Sequence, residues 1–102
     1  MNIEGTNKDT WEGVFYFSPD DSIYRDHFPG YPVVPGSLIV HAFLQAAAEA
    51  GITEEYRSLE NFRFREFLTP GRYSFRIERQ EDRLSCLIYR GPKKLVTGAL
   101  GR

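Results

Sequence analysis

The sequence predicts an α+β protein in which a curved antiparallel β-sheet wraps around one long helix. Three observations carry this expectation. A mostly apolar run over residues 37–50, opened by Pro35-Gly36-Ser37 and stopped by Gly51, has the length and punctuation of a helix. Downstream of it, apolar and polar residues alternate with period two, as in half-buried strands. With 102 residues, of which 41% are hydrophobic and 15% aromatic, the chain has enough apolar surface for one core and too little length for two.

In chain order, the first ten residues are polar and without periodicity, which predicts a loose tail. Order is expected from Trp11. Val14-Phe15-Tyr16-Phe17 reads as a strand closed by the turn cluster Ser18-Pro19-Asp20-Asp21, with a short helical turn over Ser22–Asp26. Pro29, Pro32 and Pro35 then recur at every third position and enforce an extended, polyproline-like path.

The helix that follows is apolar on nearly every side, the pattern of a helix enclosed by protein, so it is expected to be buried inside the sheet. His41, Gln45 and Glu49, spaced i, i+4 and i+8, draw one narrow polar line along it. Beyond Gly51, Phe62 and Phe64 oppose Arg63 and Arg65, and Tyr73, Phe75 and Ile77 oppose Ser74, Arg76 and Glu78. Leu84, Cys86 and Ile88 oppose Ser85, Leu87 and Tyr89. Gln80-Glu81-Asp82 reads as a tight hairpin, and Gly91-Pro92-Lys93 as a second one before a last strand from Leu95 to Leu100.

Composition excludes several classes of function. A net charge of -1 supplies no field that would draw the chain to nucleic acid or an anionic bilayer. The apolar stretch from Val33 to Ala50 is interrupted by His41 and Gln45 and is too short for membrane insertion. The N-terminal residues do not read as a signal peptide, and the single Cys86 fits a reducing compartment, so a cytoplasmic location is expected. Two histidines fourteen residues apart, with no thiol near them and Asp26 the one adjacent carboxylate, are weak evidence for a metal, so no metal site is expected, and nothing calls for a cofactor.

The segment His27-Phe28-Pro29-Gly30-Tyr31-Pro32-Val33-Val34-Pro35-Gly36 continues as Ser37-Leu38-Ile39-Val40-His41-Ala42-Phe43-Leu44-Gln45-Ala46-Ala47. It resembles the hot-dog-fold 3-hydroxyacyl-[acyl carrier protein] dehydratases of fatty acid synthesis, the FabZ and FabA type. Their pattern is His-Phe-Pro, two residues, Pro, an apolar pair, Pro-Gly, an apolar run, and a catalytic carboxylate in a helix that ends Ala-x-x-Gln-Ala-Ala. The match holds residue for residue over 27–47 except at the carboxylate, where this chain has His41. Elsewhere the resemblance rests on the order of elements.

The resemblance implies one hot-dog domain over residues 11–102 after the tail of 1–10, and a homodimer or larger even assembly with an acyl tunnel along the interface. The implied activity is that of a lyase. It dehydrates a 3-hydroxyacyl thioester, held on acyl carrier protein or coenzyme A, to the trans-2-enoyl thioester in fatty acid or related acyl-chain synthesis. His27 then removes the proton next to the thioester, and the helix residue of the other protomer, here His41, assists departure of the hydroxyl. Substrate binding falls to Phe28, Val34, Pro35, Gly36, Ser37 and Gln45.

Elementary chemistry reaches the same spot. A proline-led helix start offers uncommitted amides and a favourable dipole to a developing oxyanion, and Gly36 lets a carbonyl approach. Imidazole performs acid-base work near neutral pH, and Gln45, one turn beyond His41, is placed to orient its ring. Against this stand the ordinary readings. A loop histidine is usually structural, a histidine on an apolar helix is usually a satisfied core residue, and Arg57, Arg63, Arg65 and Arg72 read as the wet face of strands as readily as a carrier-protein contact. Glu49 reads as a solvated helix end and Cys86 as a small core residue. Two functional alternatives stay open: a hot-dog thioesterase, although that class typically lacks the His-Phe-Pro and Pro-Gly signature, and a non-catalytic acyl-binding or partner subunit, which the exchange of the carboxylate for His41 makes credible.

Overall fold

The computed structural model describes residues 2–7, 9–19, 33–52, 56 and 58–102. The strands are β1 (Asn2–Asn7), β2 (Thr10–Phe17), β3 (Ser58–Phe64), β4 (Gly71–Gln80), β5 (Arg83–Arg90) and β6 (Lys93–Gly101), and the helix is α1 (Gly36–Glu49). All strands belong to one sheet in the order β1-β2-β4-β5-β6-β3, and every neighbouring pair is antiparallel.

Period-two alternation decides which side of this sheet is the core. Tyr73, Phe75 and Ile77 of β4 are buried, as are Leu84, Cys86 and Ile88 of β5, while the residues between them are not. The register sets these rows side by side, with Phe75 opposite Ile88 and Ile77 opposite Cys86. Phe15 of β2 stacks on Phe75, centroids 4.0 Å apart, and Phe43 of α1 meets both rings edge-on at 5.1 and 6.2 Å. Phe43 is wholly buried. Burying one such ring contributes about 1.5–3 kcal/mol, and each edge or stacked contact adds about 0.5–1.5 kcal/mol, so this trio fixes the helix on the sheet.

Both hairpins after β4 form where the sequence places them. Glu81 and Gly91 take the left-handed backbone at φ 53° and 58° that such tight turns require. At the end of α1, Gly51 with φ 83° provides the helix stop, and the backbone of Ala50 and Ile52 closes the last turn onto Ala46 and Ala47.

Three expectations change. Residues 2–7, taken as part of a loose tail, form β1, which pairs with β2 from Asn2 opposite Val14 to Asn7 opposite Thr10. This strand is held by the main-chain ladder at the sheet edge, an interaction that leaves no hydrophobic periodicity in the sequence. Second, the sheet of a single chain covers only one side of α1. Ile39, Phe43, Ala46 and Ala47 are buried, whereas His41, Leu44, Gln45, Ala48 and Glu49 are exposed, Leu44 by 40%. The helix is apolar around much of its girth, but the sheet closes over Ala46 and Ala47 and leaves Ala48 and Leu44 outside. Third, β3 is interrupted by a bulge between Glu60 and Arg63, with Asn61 at φ 54°. Phe62 and Phe64 still share a side and stack at 6.3 Å, but Phe64 remains 44% exposed. The expected helical turn at Ser22–Asp26 and most of the proline-rich path lie outside the described residues.

Candidate active site

Helix α1 starts because Pro35 supplies an extended residue at φ -61° and ψ 144° whose carbonyl accepts the first helical hydrogen bonds, from Leu38 at 3.0 Å and Ile39 at 3.2 Å. Pro35 has no N–H, and the Gly36 and Ser37 amides have no backbone acceptor among the described residues. Val34 is buried and donates its N–H to the Leu68 carbonyl at 2.7 Å, which ties the approach to the helix to the connector between β3 and β4. Val34, Pro35, Gly36 and Ser37 are thus brought together, with Ser37 exposed.

A groove of about 490 Å³ runs between α1 and β2. Its helix wall is Leu38, His41, Ala42, Gln45 and Glu49, and its sheet wall is Val14–Ser18 with Arg72. The polar line read from helical spacing therefore faces one groove. Pairing of β1 with β2 reaches Val14, and the groove lies along the stretch of β2 beyond it. Arg72 holds its guanidinium over the ring of Tyr16, 5.2 Å from the centroid, a pairing that follows from their register in β2 and β4.

Two site expectations are corrected. His41 does not sit in a closed apolar site of the single chain but is exposed at the groove, and no hydrogen bond joins it to Gln45. The space in front of the Gly36 α-carbon, expected to admit a carbonyl, is filled by the ring of Phe64, whose Cζ lies 3.1 Å from where a Cβ would be. Gly36 is a packing glycine on that side, and only its amide remains for a ligand. His27 and Phe28 lie outside the described residues.

Tyr16, Ser18, Arg72 and Phe64 are residues that sequence reading did not single out for this site. Strand alternation marks Tyr16 and Arg72 as outward-facing, but their nearness to α1 depends on the sheet register, which the sequence does not print.

A profile of the ApeI-like family, described as ApeI dehydratase, matches residues 3–97. This chain belongs to the ApeI-like dehydratase family. Among curated relatives, the 3-hydroxyacyl-[acyl-carrier-protein] dehydratase FabZ of Bordetella parapertussis is 36% identical over 99 residues, which is 81% of this chain and 64% of that one. FabZ of Acidiphilium cryptum is 38% identical over 69 residues, 58% of this chain and 42% of its own. The chain therefore spans less than two thirds of the length of these relatives.

In structure, this ApeI-like chain is similar to a chain of the dehydratase heterocomplex ApeI:P from Xenorhabdus doucetiae, with a TM-score of 0.86 at 20% identity over 99% of this chain and 93% of that one. An uncharacterized protein from Erwinia carotovora subsp. atroseptica gives a TM-score of 0.75, also at 20% identity, over 99% and 89% of the two chains. At that identity the likeness carries the fold, which is the hot-dog fold.

Proposed function

We propose that this chain dehydrates a 3-hydroxyacyl thioester, presented on an acyl carrier protein, to the trans-2-enoyl thioester, as a cytoplasmic enzyme of fatty acid or related acyl-chain synthesis. The observation that carries the reading is the Pro35-led start of α1, whose Gly36 and Ser37 amides have no backbone acceptor among the described residues, directly ahead of the helix wall of the groove lined by Leu38, His41 and Gln45. The FabZ relatives act, by their names, on such a substrate.

In this mechanism the thioester oxygen accepts hydrogen bonds from the helix-start amides, which stabilise negative charge as it develops there. Neutral His27 takes the proton from C2. The freed electron pair becomes the C2–C3 double bond, the C3–O bond breaks, and the hydroxyl leaves as water with a proton from a protonated His41. The two imidazoles share one proton between them, which avoids the repulsion of two imidazolium ions. The aliphatic part of the substrate lies against Leu38, Ala42 and Phe17.

The working unit is proposed to be a homodimer, or a larger even assembly, in which His27 of one protomer faces His41 of its partner. Support comes from α1 itself, which leaves Leu44 and His41 uncovered in the single chain, an arrangement a second chain would complete.

A specific observation favours a second reading. His41 stands where the dehydratase pattern has its carboxylate, and the ApeI:P protein of Xenorhabdus doucetiae is a heterocomplex. On this reading the chain is a subunit of a mixed assembly whose other subunit brings the acid. The deciding assay supplies a 3-hydroxyacyl carrier-protein thioester to the purified chain. Formation of the enoyl thioester supports the first reading, free acid plus thiol makes the chain a thioesterase, and no reaction without a carboxylate-bearing partner supports the second.

A further inference from the structure

Helix starts are commonly tied by a Ser, Thr, Asp or Asn side chain that accepts from the second or third amide. The start of α1 is held differently. Its N-cap is Pro35, whose ring has no acceptor to offer, and its first turn carries no acidic residue. A polar cap would consume amides that a developing oxyanion needs. The restraint on this helix start is made of carbon instead. The edge of the Phe64 ring lies where a side chain on Gly36 would begin, with Cζ at 3.1 Å, Cε2 at 3.3 Å and Cε1 at 3.6 Å from the Cβ position.

Phe64 is itself a fixed wall. It is the last residue of β3 and pairs with the buried Val96, and the chain stays on β6 for one residue more, where the Arg65 N–H donates to the Leu95 carbonyl at 2.9 Å. Its ring stacks on Phe62 at 6.3 Å, and Phe62 meets Phe43 in the core at 6.3 Å. Yet Phe64 stays 44% exposed and collects only part of the burial that an aromatic ring offers. What this position adds is contact with the helix start. Glycine there has more backbone freedom than any other residue, and so gains most from an outside restraint.

We propose that Phe64 is a positioning residue for the reaction at this site. It acts through Gly36, keeping the Gly36 and Ser37 amides aimed at the thioester oxygen while leaving both free to donate. This rests on the dehydration proposed above, in which those amides receive the developing negative charge. Donors of this kind work because they are already in place, and a displacement of about 1 Å is enough to cost about a hundredfold in rate. The Leu68 carbonyl, accepting from Val34 at 2.7 Å, fixes the chain ahead of Pro35, and Phe64 fixes the chain after it. Both restraints come from β3 and the connector that follows it, so one edge of the sheet sets the geometry of the helix start.

The test compares the wild type with Phe64→Leu, which keeps a carbon contact, and Phe64→Ala, which removes it, each at a temperature where circular dichroism shows it folded. One readout is kcat and KM on a 3-hydroxyacyl carrier-protein thioester. The other is hydrogen exchange of the Leu38 and Ile39 amides, whose bonds to the Pro35 carbonyl close the first turn, with the Ala50 and Ile52 amides of the last turn as reference. The expected result for Phe64→Ala is a fall of about tenfold or more in kcat with KM little changed, and faster exchange at the first turn alone. Phe64→Leu should stay close to the wild type in both. A lower thermal midpoint with kcat unchanged would make Phe64 a purely structural residue and overturn the proposal. So would a rise in KM at constant kcat, which would make the ring a wall of the acyl path, or a slower reaction with first-turn exchange unchanged. A wild type that turns over nothing, while Phe64→Ala still frees the first turn alone, keeps the hold of Phe64 on the helix and removes the reaction.

Discussion

The ring of Phe64 occupies the place where a side chain on Gly36 would begin, 3.1 Å from the Cβ position and again at 3.3 Å with a second ring atom. Through this contact the edge strand β3 reaches across to the first residue of α1, and the stack of Phe64 on Phe62 continues it to Phe43 in the core. The start of the helix is thus held from two sides, by Phe64 and by the Leu68 carbonyl.

Gly36→Ala is therefore expected to destabilise the protein by about 1 kcal/mol although its backbone is ordinary helix, because the half-exposed ring must yield by a few tenths of an ångström. In a Phe64→Ala background the same change should be neutral or stabilising, since alanine favours a helix over glycine. Urea unfolding of the four proteins measures the coupling, and additive effects would show that the two residues do not press on each other.

At Gly98 the constraint is harsher. A Cβ there would lie 2.5 Å from the Phe62 ring, which is half-buried and in contact with Phe43. Gly98→Ala should cost about 1–3 kcal/mol, read as a fall in thermal midpoint, with Phe62→Leu relieving part of it.

These two glycines show where sequence reading stops. The strands β4 and β5, the hairpins and the span of α1 were legible because alternation, turn residues and Pro35/Gly51 punctuation are local. So was the polar line of α1, and His41, Gln45 and Glu49 do face one groove. The other wall of that groove was not legible, because Tyr16 and Arg72 reach it only through pairing of β2 with β4, more than fifty positions apart in the chain. β1 was missed for a different reason: it is held by main-chain pairing with the neighbouring β2, which leaves no hydrophobic periodicity to read. The expected burial of α1 on all sides went further than one sheet can provide, and Leu44 and His41 are left uncovered.

Cys86 gives a prediction with a definite sign. Burial pushes its thiol up from 9.0 to about 12, since the thiolate would lose its water among apolar neighbours. The folded state holds this proton more tightly than the unfolded chain does. The stabilisation is therefore fully present below about pH 9 and is lost as pH rises towards 12. At pH 10 the unfolded chain is favoured by about 1.4 kcal/mol relative to pH 8, and Cys86→Ala should remove that part of the alkaline loss. Urea unfolding at the two pH values checks it, and an identical loss in Cys86→Ala would assign the effect to other groups. Thiol reagents should label the native protein only at its rate of opening.

The last prediction concerns His41, which occupies the carboxylate position on the exposed face of α1, along the groove. His41→Glu places there an acid that a covering second chain would partly desolvate. Desolvation favours the protonated carboxyl, which can donate to the departing hydroxyl, while the ionised form offsets charge on a protonated His27. His27→Ala removes the proposed base and should lower kcat by about 10² to 10⁴. The three proteins are compared on one 3-hydroxyacyl thioester. If the wild type turns over and His27→Ala loses the activity, the chain is a dehydratase that works with two histidines, and His41→Glu changes its rate without creating it. A silent wild type that gains activity as His41→Glu identifies a dehydratase scaffold that has given up its acid, and the mixed-assembly reading then holds. Equal turnover by all three would mean that neither histidine touches the reacting atoms, and the mechanism would have to be rebuilt on the helix-start amides alone.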